Sequence, residues 1–152
     1  MIANHGGAKI YSVWGVQDDL ELVLELPNPK GTIKGREINT DRPGRLFKSL
    51  GENSRSGVER ESPHEIIVNQ FAKQLATTLE NGLSKQEYGN LIIVADPHLL
   101  GRVKECLHSE VSKVTHKTIS KNLIDYSDRE LKQYLSEVIE DAVRDRFAKK
   151  AL

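Results

Sequence analysis

Leu91-Ile-Ile-Val-Ala-Asp-Pro-His98 is the stretch on which the fold turns. Five apolar residues in a row, with no polar alternation, have the length of a strand and the character of one covered on both faces. Asp96 then offers a helix cap and Pro97 suits the first helical position, so the chain passes from strand directly into helix. Leu99, Leu100, Val103 and Leu107 recur at helical spacing behind it and form the face turned inward.

The same alternation of elements continues downstream. Val114 to Ile119 reads as a more polar strand suited to a sheet edge, and Ser127-Asp-Arg-Glu130 is a capping box that opens a helix. Leu131, Leu135, Val138 and Ala142 fall on one face of that helix, and Glu137, Glu140, Asp141 and Asp145 lie along its solvated side. Upstream, Ser62-Pro63-His64-Glu65 is another helix start, with Glu65 placed to reach back to the cap. Ile67, Phe71, Leu75 and Leu79 carry the stripe of that helix, which Asn81-Gly82 ends.

Nearer the start, Asn4-His-Gly-Gly7 separates the stub Met1 to Ala3 from Ala8-Lys-Ile-Tyr-Ser-Val-Trp14, the pattern of a hairpin with one very short arm. Leu20, Leu22, Leu24 and Leu26 alternate with Glu21, Val23 and Glu25, as in a half-buried strand, and Pro27 and Pro29 close it. Short strands joined by turns pair antiparallel, whereas strands separated by helices need crossovers. The expected architecture is therefore a single α/β domain over residues 1–152 with a mixed sheet, in the order β-β-β-loop-α-β-α-β-α.

Composition narrows the function classes. Twenty-two Lys+Arg balance 22 Asp+Glu, so the whole molecule has no field that would draw nucleic acid or an anionic membrane, and any such partner must meet a local patch. Cys106 is the only cysteine, which removes an internal disulfide; its place beside Val103 and Leu107 reads as a buried small side chain. No apolar run approaches the roughly 18 residues of a membrane span. The first residues lack a secretory signal, so the expectation is a cytoplasmic protein with no membrane insertion.

The local patch is a long loop at about residues 28–61, with a possible extended piece around Thr32 to Asn39. Over Asn28 to Arg60, Lys30, Lys34, Arg36, Arg42, Arg45, Lys48, Arg55 and Arg60 face only Glu37, Asp41, Glu52 and Glu59, a local net charge of +4. Within it, Asp41-Arg-Pro-Gly-Arg45 places Pro43 and Gly44 at the centre of a type II turn, which throws two guanidinium groups outward. Arginine forks suit phosphate, so Arg36, Arg42, Arg45, Lys48 and Arg55 are candidate RNA or anion contacts. A solvated loop whose cations merely balance local acids accounts for the same residues, and both readings stand at this point.

No other motif carries chemistry. The histidines 5, 64, 98, 108 and 116 show no metal-binding spacing, and Gly31 to Gly35 lacks the Lys-Ser/Thr of a phosphate loop, so neither metal nor cofactor is expected. Asp96 is read as a cap and His98 as an exposed first-turn residue, with no triad drawn from them. The leaning is away from an enzyme.

Taken in order, Ala8-Lys-Ile-Tyr11, Leu24-Glu-Leu-Pro-Asn28, Arg36-Glu-Ile-Asn-Thr-Asp-Arg-Pro-Gly-Arg45, the Phe71-Ala helix, Leu91 to Pro97 with Leu99-Leu-Gly101, and Lys121-Asn-Leu with Ser127 resemble the bacterial host attachment protein family, whose members are also classed with archaeal and eukaryotic release factors and pelota. The resemblance implies a ribonuclease H-like fold like the release-factor central domain. It also implies that the loop occupies the place where release factors carry Gly-Gly-Gln. That tripeptide is absent here, so the resemblance gives a module that binds ribosomal or transfer RNA without peptidyl-tRNA hydrolysis. The family's name gives the alternative, a protein-binding factor in attachment.

Two departures accompany the match. Ser54-Arg-Ser-Gly-Val58 stands where the family tends to have Gly-Arg-His-Ala, which leaves Arg55 as the matching residue. The family's first strand is usually longer, so Met1-Ile-Ala implies a clipped sheet edge or a late start, and completion of that strand by another chain stays open. Exposure of Leu20 to Leu26, or of the Leu131 stripe, would point to a homo-oligomer.

Overall fold

The computed structural model describes residues 1–33 and 61–150. Its five strands are β1 (Ile2–Asn4), β2 (Gly7–Ser12), β3 (Glu21–Pro27), β4 (Leu91–Ala95) and β5 (Thr115–Ser120). Its helices are α1 (Pro63–Ser84), α2 (Pro97–Cys106), α3 (Ser109–Val114) and α4 (Asp128–Lys150), and a 3-10 turn covers Pro29–Thr32. The sheet order is β3-β2-β1-β4-β5. The tight turn after Asn4 makes β1 and β2 antiparallel, and β3 continues the meander, whereas the helical crossovers make β4 parallel to both β1 and β5. The fold is the mixed α/β sheet expected from the sequence.

Helices cover both faces, which is why β4 is apolar throughout. Met1, Ala3, Leu91, Ile93 and Ala95 point to one face and pack with Phe71, Leu75 and Leu79 of α1, Leu99 and Val103 of α2 and Val111 of α3. Ile2 and Val94 alternate to the other face, where Leu123 and Leu131, Leu135 and Ile139 of α4 meet them. The Leu131 stripe is thus core rather than an exposed interface.

Four expectations are corrected. The leucine pattern of β3 does not half-bury that strand: Leu22, Val23 and Leu24 are 46%, 59% and 39% exposed, because among the described residues β3 is an edge strand that no helix covers. A bulge between Ile10 and Tyr11 adds a residue to β3 at Val23 and breaks the alternation there. A short helix, α3, precedes β5; six residues and one buried side chain, Val111, are too few to show a period. Thr32 belongs to the 3-10 turn rather than to an extended piece, whose remaining residues lie outside the described ones. Cys106 is only partly buried, since it is the last residue of α2.

Candidate functional site

The chain runs outward from β1 to β3 and then returns to the other side of β1 to lay down β4. The crevice outside the carboxyl ends of β1 and β4 is therefore a topological switch point, the place where open α/β sheets hold ligands. His5 follows β1 and Asp96 follows β4, so two residues 91 positions apart meet there by topology alone.

His5 Nε2 donates to Asp96 Oδ1 at 3.2 Å, and the same oxygen accepts the Leu99 backbone N–H at 3.1 Å. Asp96 is the expected helix cap and also a histidine partner. A second pair adjoins it: His98 Nε2 donates to Glu65 Oε1 at 2.8 Å, while Arg102 holds Glu65 Oε2 at 3.3 Å. The Ser62 hydroxyl does accept from Glu65 N at 3.2 Å, but the Glu65 carboxylate is engaged by His98 and Arg102 rather than reaching back to the cap. Across the crevice, the His5 ring lies 5.4 Å from that of His64 and 5.9 Å from that of His98, centroid to centroid.

Three imidazoles and two carboxylates thus share one surface. His5 Nδ1 and Asp96 Oδ2 are shielded from solvent and have no hydrogen-bond partner among the described residues. Among the described residues, no three or more His, Cys, Asp and Glu side chains are grouped so as to hold a metal ion. What the arrangement offers instead is imidazole N–H donors and one guanidinium, held by two carboxylates, Glu65 in α1 and Asp96 at the N-cap of α2.

The site is also where the basic segment is rooted. Asn28 Nδ2 donates to His5 O at 2.9 Å, and Gly31 comes so close to the same carbonyl that a Cβ there would stand 1.8 Å from the oxygen. Only glycine permits that approach. At the other root, His64 and Glu65 open α1. The described ends of the segment, up to Ile33 and from Glu61, therefore both lead to His5. Arg36, Arg42, Arg45, Lys48 and Arg55, with the turn residues Asp41, Pro43 and Gly44, lie outside the described residues.

Sequence reasoning missed this cluster because each member has an ordinary local role. Asp96 is a cap, His98 is 44% exposed in a first turn, and His5 is a turn residue. The available signal was joint: a histidine and an aspartate immediately after two strands that a meander and a crossover make parallel neighbours.

A family model described as "Protein required for attachment to host cells" matches residues 1–135. The chain is also 28% identical to an uncharacterized protein of Rickettsia prowazekii (strain Madrid E), RP470, in an alignment covering 61% of this chain and 75% of that protein.

Proposed function

The chain belongs to the family of proteins required for attachment to host cells, and from that premise we propose that it is a non-catalytic, release-factor-like module that binds ribosomal or transfer RNA. Arg36, Arg42, Arg45, Lys48 and Arg55 supply the phosphate contacts, and Asp41, Pro43 and Gly44 form the turn that presents them. The observation that carries this reading is the convergence of both roots of the +4 segment on the crevice at His5 and Asp96. Cations delivered to that rim meet a ligand at the switch point, beside His64, His98 and Arg102. The sheet order is compatible with the ribonuclease H-like arrangement that the release-factor likeness implies.

Co-sedimentation with ribosomes across a salt series tests it. Each phosphate contact contributes about 0.7 to 0.9 to the log–log slope, so Arg42→Ala/Arg45→Ala should flatten the slope by roughly 1.4 to 1.8 and weaken binding. Salt-independent association, or none, overturns the proposal.

A protein-partner role in attachment is the second reading, favoured by exposed Trp14, Leu22, Val23 and Leu24 near β3, the outer strand of the sheet among the described residues. Among the described residues no helix is long and apolar enough to cross a membrane. The proposed location is the cytoplasm, and cell fractionation separates the readings: recovery at the cell surface supports an adhesive role and removes the translational one.

A further inference from the structure

The crevice at the switch point crowds three imidazoles, the His5 ring centroid lying 5.4 Å from that of His64 and 5.9 Å from that of His98. Separate elements bring them there: His5 follows β1, His64 stands in the first turn of α1 and His98 in the first turn of α2. Imidazole is the side chain whose charge changes between about pH 8 and 5, so protons set the sign of this crevice.

Among the described residues, the charged groups around the rings come from each element packed there. Asp96, at the cap of α2, is bonded to His5; Glu65 of α1 is bonded to His98; Arg102 of α2 holds both Glu65 and Glu105. The 3-10 turn against His5 adds the exposed Lys30, and Glu61, ahead of α1, is held by Asn69. With the rings neutral, Asp96, Glu65 and Arg102 leave the centre of the crevice a formal charge of −1; with all three rings protonated it becomes +2.

Protons on His5 and His98 stay beside their carboxylates. A proton on His64 meets two opposing charges, that of the neighbouring His5 ring and the positive end of α1, a helix of 22 residues in which His64 is the second. An anion seated there relieves both, and the same helix end attracts it.

We propose that the crevice is a proton-linked phosphate subsite: a phosphate of the bound RNA seats against His64 at the head of α1, and His64 takes up one proton from solvent as it does so. The proton returns to solvent on release, and no covalent bond is made or broken. This rests on the RNA-binding reading above and adds to it a site built from described residues. Because linkage is reciprocal, acidification tightens RNA binding by the factor with which phosphate favours the protonated ring. The arginines of the basic segment then govern the salt dependence of binding, and His64 its pH dependence.

The test is co-sedimentation with ribosomes at fixed ionic strength and about pH 6, 7 and 8, with wild type, His64→Gln and His116→Gln. His116 lies on β5 beside Asp145, outside the crevice, and serves as the control histidine. Wild type and His116→Gln should bind about tenfold more tightly at the acid end than at the alkaline end, whereas His64→Gln should change by less than about twofold and keep its salt dependence. Calorimetry of wild type with the same ribosomes, in two buffers of different ionisation enthalpy, should show proton uptake on binding, a readout that needs no variant to fold. Salt-sensitive binding without pH dependence, without proton uptake, or with an unchanged pH response in His64→Gln overturns the subsite and leaves the RNA reading standing. Absence of binding at every pH overturns both.

Discussion

Gly31 shows how one missing atom can hold a site together. Its close approach to His5 O lets the 3-10 turn lie against the turn after β1, and Asn28 fastens the contact. Gly31→Ala must push that turn away from backbone that cannot yield, so a loss of about 1–3 kcal/mol in urea unfolding is expected. Tyr88 acts at the opposite end, where its hydroxyl donates to Leu79 O and burial raises its pKa from 10.0 to about 12. A raised folded pKa means that the contribution is complete below pH 10 and is lost as pH climbs through about 12. Tyr88→Phe should therefore cost about 1 kcal/mol at neutral pH and remove that alkaline dependence, which unfolding curves across pH would reveal. For His98 and Glu65, both partly exposed, a double-mutant cycle should return about 0.5–1 kcal/mol of coupling.

Helices in this chain are set by their ends and their stripes, strands by what covers them. Ser127 and Glu130 form a reciprocal box, Glu130 N donating to Ser127 Oγ at 3.2 Å and Ser127 N to Glu130 Oε2 at 2.8 Å. Ser127→Ala should lower thermal stability by about 1 kcal/mol. Phe71 in α1 is 2% exposed and sits in the middle of its core, so Phe71→Ala should cost about 3–5 kcal/mol. Those effects were readable from the capping and helical period alone. β3 was not: Val23→Thr should change stability by less than about 0.5 kcal/mol, since that side chain is on an open edge.

At the level of the whole molecule, one sheet divides two cores. Leu75 belongs to the face under α1 and Ile139 to the face under α4. Leu75→Ala and Ile139→Ala should each cost about 2–5 kcal/mol and add to within about 0.5 kcal/mol in denaturant unfolding, since they share no partner. The sequence alone determined the element types, the helix caps and the mixed sheet, because an apolar period, a cap or a turn is written in residues a few positions apart. It also marked the +4 segment by composition. Only the tertiary structure decided that His5 meets Asp96 across 91 positions, that Glu65 turns from its cap to His98 and Arg102, and that β3 is an edge. Each of these depends on which strands become neighbours, and that is settled by the burial of both sheet faces at once rather than by any local stretch.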